Sequence, residues 1–311
     1  VIVAFMSYVS RFFVPIREMS QLFSTLQSAS AGGERVLDLL DTDPAVEDRS
    51  GAIDLGSVDG RVEFRNVSFS YRSDVEVLHD VNLVAEPGET IAIVGPTGAG
   101  KSTITNLVCR FYEVSSGAVL IDDRDIRDVT SDSLHRQMGY VSQDPILFPG
   151  TIAENIAYGS DGAASDEQLR ARVEGAARAS EAHGFISSLV DGDETRIYEG
   201  GVILSVGQRQ LVSIARAMLV DPRILILDEA TSSVDTVTEA LIQRALDRLL
   251  ADRTAIVIAH RLTTVQNADQ IYVIDDGRIV EVGSHDELMR RPTMYRDLYE
   301  RQFVDAPDAR A

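Results

Sequence analysis

The sequence predicts an α/β protein whose central sheet is mainly parallel and covered by helices on both faces. Apolar runs of strand length alternate with helix-compatible stretches over most of the chain. One such run, 224–227, is continuously apolar, which is typical of a strand buried on both faces. Two alternating runs between residues 61 and 84 predict an additional antiparallel patch.

Length and composition limit the size, the partners and the redox setting of this protein. Its 311 residues suffice for one large domain or two modest ones with a sizeable core. It carries 49 acidic and 29 basic residues, a formal net charge of −20. Because such a surface repels nucleic-acid phosphates, we expect no nucleic-acid partner. Cys109 is the only cysteine, so we expect a buried structural thiol in a reducing, cytosolic setting.

Residues 1–40 are predicted to form a helix that is apolar at its start and amphipathic further on. The chain opens at Val1 inside an apolar segment that does not resemble a signal peptide, so we expect a C-terminal piece of a longer protein. The apolar opening is shorter than the roughly 20 residues that cross a bilayer. We therefore expect the end of a transmembrane helix that continues into the cytoplasm; the alternative is an amphipathic helix packed on a soluble core.

A linker is predicted at 41–60, where acidic residues and glycines replace large apolar residues. The rest of the chain is divided by apolar spacing and by Gly, Pro and Asp clusters. Strands are predicted at 62–71, 75–83, 91–94, 118–121, 224–227 and 254–259, with a hairpin at 271–274 and 278–282. Helices are predicted at 103–111, within 166–190, and at 208–219, 238–250, 286–290 and 294–302. Residues 301–311 are predicted to be a polar tail.

A glycine-rich loop lies between the predicted strand 91–94 and the predicted helix 103–111. It fits the phosphate-binding P-loop pattern G-x-x-x-x-G-K-[ST] with the residues Gly95, Pro96, Thr97, Gly98, Ala99, Gly100, Lys101 and Ser102. Glycines let the backbone N–H groups face phosphate oxygens, and the following helix N-terminus favours an anion. We expect Lys101 to reach the terminal phosphates and the Ser102 hydroxyl to bind Mg²⁺. Lys101 is also the only lysine of the chain.

A further ligand for the same metal ion is predicted where the apolar strand 224–227 ends. Asp228 and Glu229 follow this strand directly, at the edge where open α/β sheets bind ligands. A carboxylate there is suited to the Mg²⁺ shell, so we assign that role to Asp228. Glu229 is then placed to polarise a water molecule for in-line attack on a γ-phosphate.

The segment Leu204-Ser205-Val206-Gly207-Gln208-Arg209-Gln210 resembles the LSGGQ signature of ATP-binding cassette (ABC) proteins. Other positions match this family in register: Tyr71 the adenine-stacking A-loop, Gln143 the Q-loop, Ser232-Ser233-Val234-Asp235 the D-loop and His260 the H-loop switch histidine. The resemblance covers about 61–298.

This resemblance implies a P-loop NTPase (RecA-like) core with an antiparallel β-subdomain and an α-helical subdomain at about 145–220, within a nucleotide-binding domain at 61–300. It implies ATP and Mg²⁺ as ligands. The catalytic residues would be Glu229, His260 and Lys101. The nucleotide contacts would be Tyr71, Gly95 to Ser102, Thr103 and Gln143. The metal contacts would be Ser102, Gln143 and Asp228. Contacts to the ATP of a partner chain would come from Ser205, Val206, Gly207 and Gln208, with Asp235 in the D-loop.

The upstream helix and two further segments narrow the resemblance to exporter-type half-transporters. Residues 140–156 resemble the segment that follows the exporter Q-loop, and 195–201 occupy the position of the TxVGExG loop, with Tyr198 replacing its first glycine. The resemblance implies an ATP-hydrolysing subunit in the cell membrane, with its nucleotide-binding domain on the cytoplasmic side. It implies export of a drug-, lipid- or peptide-like substrate and a second half-transporter as partner.

The sequence bears on two alternative functions and on the type of dimer. A soluble ABC ATPase of DNA repair or translation is the alternative function, although the acidic charge and the apolar start oppose it. A binding module without turnover would lack Glu229 or His260, and both are present. Val206 replaces a glycine of the signature, which is compatible with one half of a heterodimer as well as with a homodimer.

Overall fold

A computed structural model describes residues 2–42, 44, 46–72, 75–160, 167–198, 204–228, 234–259 and 261–300. The chain divides into two compact units, Val1–Glu47 and Asp48–Ala311. The catalytic candidates Glu229 and His260 lie outside the described residues, as do Ser232 and Ser233 of the predicted D-loop. The predicted tail 301–311 lies outside them as well.

The first unit contains helix α1, Ile2–Leu40, which spans 39 residues and includes Pro15. The helix predicted for 1–40 is thereby confirmed. None of its residues is buried within this unit, and apolar side chains such as Phe12 and Leu22 are exposed. Within the described residues, no helix combines the length and the hydropathy that a membrane crossing requires.

In the part of the second unit that the structure describes, the strands form three sheets. Their strands are β1 Val62–Phe69, β2 Leu78–Ala85, β3 Thr90–Val94, β4 Ser116–Ile121, β5 Arg124–Asp125, β6 Met138–Val141, β7 Gly150–Thr151, β8 Arg196–Ile197, β9 Ile224–Asp228, β10 Thr254–Ile258, β11 Gln270–Asp275 and β12 Arg278–Gly283. The six-stranded sheet has the order β12-β11-β3-β10-β9-β6, and its strands pair in parallel except for the β11–β12 hairpin. The predicted parallel sheet and hairpin are confirmed.

The helices of this unit are α2 Lys101–Val108, α3 Ser131–Arg136, α4 Ile152–Ala157, α5 Glu167–Ala179, α6 His183–Ile186, α7 Val206–Val220, α8 Thr236–Leu250, α9 Leu262–Asn267, α10 His285–Met289 and α11 Met294–Tyr299. Short 3₁₀ helices lie at Ile126–Asp128 and Gly192–Glu194. Helix α7 packs against α4, α5 and α8. Helices α4, α5 and α7 therefore pack on one another as a helical region.

The antiparallel patch is a four-stranded sheet with the order β2-β1-β4-β5. Its alternating side chains bury one face, which includes Phe64 of β1 and Leu83 of β2. This face shares a hydrophobic core with Ile91 of β3 and Ile104 of α2. The antiparallel sheet thus supports the strand and the helix that flank the P-loop.

Several element boundaries differ from the prediction, and two of them have a local reason. Helix α2 ends at Val108, whereas the sequence predicted 111, because Arg110 adopts a left-handed backbone with φ 52°. The second strand begins at Leu78, whereas the sequence predicted 75, and Val75 forms only an isolated bridge with Arg72.

The predicted linker 41–60 is divided between the two units. Its second part, from Asp48, belongs to the second unit, where Leu55 and Val58 are buried. The Asp48 carboxylate accepts hydrogen bonds from the Ser131 N–H and hydroxyl at 2.9 and 2.7 Å. It also pairs with the buried Arg110 guanidinium at 3.3 Å. These contacts hold Asp48 on the second unit, although the sequence predicted that it lies in a linker.

Candidate nucleotide-binding site

Four of the parallel strands end at one edge of the central sheet, and a predicted site residue lies at or shortly after the end of each strand in the chain. The P-loop follows β3, and Gln143 lies two residues beyond the end of β6. Asp228 is the last residue of β9, paired with Ile258 of β10. His260, although outside the described residues, follows β10 in the chain. Because the carboxyl ends of parallel strands share an edge, the fold collects the P-loop, Gln143 and Asp228 on one side of the sheet.

The P-loop packs closely against strand β11. A Cβ atom built on Gly95 would overlap the main-chain oxygen of Ile274 and lie 3.0 Å from its Cγ2 atom. Ala99 connects the loop to the β11–β12 turn, because its carbonyl accepts a hydrogen bond from Gly277 N–H at 3.1 Å. By contrast, a Cβ atom on Gly98 would meet no atom within 4 Å. The loop is therefore anchored on the sheet side and open on the other, which leaves room for a phosphate chain.

Lys101 begins helix α2, and its side chain folds back over the loop. Its ammonium donates hydrogen bonds to the carbonyl oxygens of Gly95 at 2.8 Å and Pro96 at 2.9 Å. The residue is 9 % exposed. Burial lowers the pKa of Lys101, and the negative charge of Asp228 opposes this shift. An anion at the loop would raise the pKa again, so the site favours binding of a negatively charged group.

The predicted metal contacts are oxygen groups at the same edge. The Ser102 side chain is exposed in the first turn of α2, Gln143 is exposed, and Asp228 is half-buried. In the described parts of the chain, no group of three or more His, Cys, Asp or Glu side chains forms a metal site by itself. This set fits Mg²⁺, which usually takes one or two protein oxygens and completes its shell with water and substrate phosphates.

Tyr71 lies beside helix α2, close to the P-loop. Its hydroxyl donates to Thr103 Oγ1 at 3.2 Å and accepts from Asn106 Nδ2 at 3.3 Å. Its ring contacts Tyr112 edge-on, with ring centroids 4.9 Å apart and an interplanar angle of 89°. The sequence reasoning did not identify Asn106 or Tyr112 as site residues. The sequence places Asn106 in the helix after the P-loop and Tyr112 shortly after that helix. It does not show that either residue contacts Tyr71.

The signature segment, residues 204–210, forms the start of helix α7. Ser205 is its N-cap in a capping box, in which its hydroxyl accepts from Gln208 N–H at 3.2 Å and the Gln208 side chain accepts from Ser205 N–H at 2.9 Å. Val206 is the first helical residue and is 36 % exposed. Helix α7, with 15 residues, therefore has a capped N-terminus that carries partial positive charge, and the exposed Val206 is its first residue.

Gly207 is buried between helices α7 and α8. A Cβ atom there would overlap Cγ2 of Thr238 and lie 3.0 Å from Cγ1 of Val234. Asp235 caps α8, because its carboxylate accepts from Thr238 N–H at 3.0 Å. The hydrogen bonds of the Thr238 backbone and side chain lower the pKa of Asp235. The structure thus gives Asp235 a capping contact and places it beside the signature segment.

The signature segment and the P-loop belong to different helices: the first begins α7, and the second leads into α2. Among the residues that the structure describes, no hydrogen bond joins 204–208 to 95–102.

Three features together define a P-loop nucleotide-binding domain: a glycine loop after a central parallel strand, a buried lysine folded over it and a carboxylate at the end of a nearby strand. The model of the ABC transporter family matches residues 78–232. The chain belongs to the ABC transporter family.

Relatives of this chain are ABC transporter proteins. An uncharacterized ABC transporter ATP-binding protein of Bacillus subtilis is 49 % identical over 97 % of this chain and 49 % of its own length. A fatty acid ABC transporter ATP-binding/permease protein of Mycobacterium tuberculosis is 49 % identical over 94 % of this chain and 45 % of its own length. An ATP-dependent lipid A-core flippase of Syntrophus aciditrophicus is 46 % identical over 97 % and 49 %, respectively.

Among solved structures, a bacterial Atm1-family ABC exporter with ATP bound matches with a TM-score of 0.80 and 41 % identity. The match covers 97 % of this chain and 52 % of that one. The chain spans about half the length of the relatives it matches. The expected fold class, a P-loop core with an antiparallel sheet and a helical region, is confirmed by the family and by this structure.

Proposed function

We propose that this chain is the ATP-binding and ATP-hydrolysing part of an ABC exporter. The observation that carries this proposal is the buried Lys101 ammonium, held over the P-loop at the sheet edge where Asp228 also ends its strand. Phosphates of ATP would enter on the open side of the loop, at Gly98. The N–H groups of 95–103 and the Lys101 ammonium would bind them, and Tyr71 would stack on adenine.

The metal would be held by Ser102, Gln143 and Asp228, together with the phosphates. When bound, Mg²⁺ supplies positive charge that offsets the charge developing on the phosphate oxygens. Asp228 contributes a carboxylate at the end of strand β9. Ser102 and Gln143 are exposed, and so can turn toward a ligand without exposing a core residue.

Hydrolysis would use Glu229 as general base. Its carboxylate would take a proton from water, the water oxygen would bond to the γ-phosphorus, and the bond from that phosphorus to the β–γ bridging oxygen would break. The products are ADP and inorganic phosphate. His260 would donate a hydrogen bond to the γ-phosphate. Both roles rest on chain position: Glu229 follows β9 directly, and His260 lies two residues beyond the end of β10.

The site would be completed by a second chain. In this chain the signature segment shares no described hydrogen bond with its own P-loop, which supports a site formed between two copies or two related subunits. The N-terminus of α7, with Ser205, Gly207 and Gln208, would contact the ATP of the partner. ATP binding would close the two domains and hydrolysis would reopen them.

The exposed Val206 leaves homodimer and heterodimer as alternatives. A branched side chain near the phosphates of the partner adds bulk and reduces backbone freedom compared with glycine. A heterodimer would pair this altered signature with an intact one from another subunit. Purification of the full-length protein alone as an ATPase-active dimer with two equivalent sites would exclude the heterodimer.

The transport function is proposed from the relatives and from helix α1. The relatives include fatty acid and lipid A-core transporters, so a lipid-like substrate is favoured within the drug-, lipid- and peptide-like classes. We infer that α1 continues from a membrane domain, with a nucleotide-binding domain at 61–300 on the cytoplasmic side. A soluble ABC ATPase of DNA repair or translation is not favoured, since the reported relatives are transporters.

The proposal is tested by Glu229→Gln in the full-length protein, with Glu239→Gln as the matched control. Glu239 is exposed on helix α8 and has no assigned role in the site. We expect Glu229→Gln to bind MgATP with wild-type affinity and to lose phosphate release, because the amide cannot accept the proton of the attacking water. Glu239→Gln should keep both properties. Retained hydrolysis in Glu229→Gln would contradict the role of general base.

A further inference from the structure

Three aromatic rings, Phe69, Tyr71 and Tyr112, form a cluster beside the P-loop helix. Tyr71 contacts Phe69 at a centroid distance of 4.8 Å with an interplanar angle of 84°, and Tyr112 at 4.9 Å with 89°. Phe69 and Tyr112 also contact each other, at 5.8 Å and 59°. Perpendicular ring pairs are a favourable arrangement of aromatic quadrupoles. The two neighbours therefore limit the tilt that the Tyr71 ring can adopt.

The two neighbours of Tyr71 differ in how they are held. Phe69 is 3 % exposed at the end of β1 and belongs to the core of the antiparallel sheet. Tyr112 is 40 % exposed and follows α2 in the chain. Phe69 is held in place by the core around it. Tyr112 is a surface ring, and its position depends on where helix α2 ends. Tyr71 itself stays 47 % exposed, so part of its ring is accessible to a planar ligand.

The hydroxyl end of Tyr71 is tied to the same helix. Thr103 and Asn106 of α2 hold it at 3.2 and 3.3 Å. Lys101 and Ser102, at the start of α2, are the proposed phosphate and metal contacts. One helix therefore carries residues proposed for both ends of a nucleotide. Its first turn holds Lys101 and Ser102, and its later residues contact Tyr71, the ring proposed for the base.

We propose that Tyr112 and Asn106 are positioning residues for the nucleobase, which act by fixing the angle and the hydroxyl end of Tyr71. This inference rests on the proposed binding of ATP at the P-loop. Tyr112 holds the ring through its aromatic edge contact, and its own hydroxyl is not required. Asn106 holds the hydroxyl through one hydrogen bond. Neither residue belongs to the P-loop 95–102, so their contribution depends on the presence of a base.

The experiment measures binding of two probes, MgATP and inorganic tripolyphosphate with Mg²⁺, to the full chain by calorimetry. The chain is kept in detergent because α1 exposes apolar side chains. The variants are Tyr112→Leu, Tyr112→Phe and Asn106→Ala. Phe111→Leu is the matched control, because Phe111 contacts His135 and Tyr140 instead of Tyr71. Thermal unfolding of each variant checks that it is folded.

We expect Tyr112→Leu to weaken MgATP binding about three- to tenfold, the equivalent of one aromatic pair, and to leave tripolyphosphate binding unchanged. Asn106→Ala should weaken MgATP binding less, and Tyr112→Phe and Phe111→Leu should bind as the wild type does.

Unchanged MgATP binding in both Tyr112→Leu and Asn106→Ala would overturn the inference. Equal loss for both probes would overturn it too, since that result indicates general damage to the P-loop. A wild type that binds neither probe would instead refute the proposed function.

Discussion

Gly207 and Thr238 lie in such close contact that no side chain fits between them. A Cβ atom on Gly207 would overlap Cγ2 of Thr238, while Val234 closes the other side at 3.0 Å. The Thr238 N–H is in turn bound by the carboxylate of Asp235. The glycine in the signature segment is therefore required by packing against the start of α8. The predicted D-loop is coupled by contact to the signature within the same chain.

Gly207→Ala should destabilise the fold by about 1–3 kcal/mol, because the added methyl group must displace a β-branched side chain in a packed interface. Gly175→Ala is the control: Gly175 lies within helix α5, where a Cβ atom meets nothing within 4 Å. There the substitution should be neutral or stabilise by about 0.5–1 kcal/mol, since alanine favours a helix over glycine. Urea unfolding of both variants measures the difference, and equal stabilities would contradict this account of Gly207.

Gly95→Ala should disrupt the P-loop more than Gly98→Ala. At Gly95 the methyl group would meet the main-chain oxygen of Ile274, which cannot move without displacing β11. At Gly98 the space is open, and the cost is confined to a left-handed backbone with φ 84°, about 1–2 kcal/mol. Thermal unfolding should show the larger loss of stability for Gly95→Ala. The reverse order would show that the loop does not pack on β11 as described.

Cys109 should be inert toward alkylation in the folded protein. Burial raises the pKa of the Cys109 thiol to about 12, so at pH 8 only about one molecule in ten thousand carries the reactive thiolate. We expect no modification by iodoacetamide at pH 8 until the protein is unfolded in denaturant, when the cysteine should react fully. Mass spectrometry gives the extent of modification. Rapid modification under native conditions would contradict burial of this thiol.

The sequence predicted the parts of the fold that depend on local patterns. The continuous apolar runs before Gly95 and Asp228 identified two parallel strands, and the glycine spacing located the loop between β3 and α2. These signals are strong because a buried strand tolerates few polar residues and a phosphate loop requires glycine. The edge at which the site residues collect followed from the parallel order of the strands.

What the sequence did not predict depends on contacts between distant residues. The segment from Asp48 was interpreted as linker, yet its carboxylate binds Ser131 and the buried Arg110. Similarly, Tyr112 becomes relevant only because it contacts Tyr71. No local periodicity encodes such pairs. The roles assigned to Glu229 and His260 stay predictions, since both lie outside the described residues.

The central claim is that the P-loop of this chain binds ATP for hydrolysis through Lys101. The most direct measurement is MgATP-dependent phosphate release by the full-length protein in lipid, compared between the wild type and Lys101→Ala. The ammonium is the one side-chain cation that the structure shows folded over the loop carbonyls of Gly95 and Pro96 among the described residues. We expect the wild type to release phosphate and the variant to release it about a hundredfold more slowly or not at all. Equal rates in the two proteins would contradict the claim.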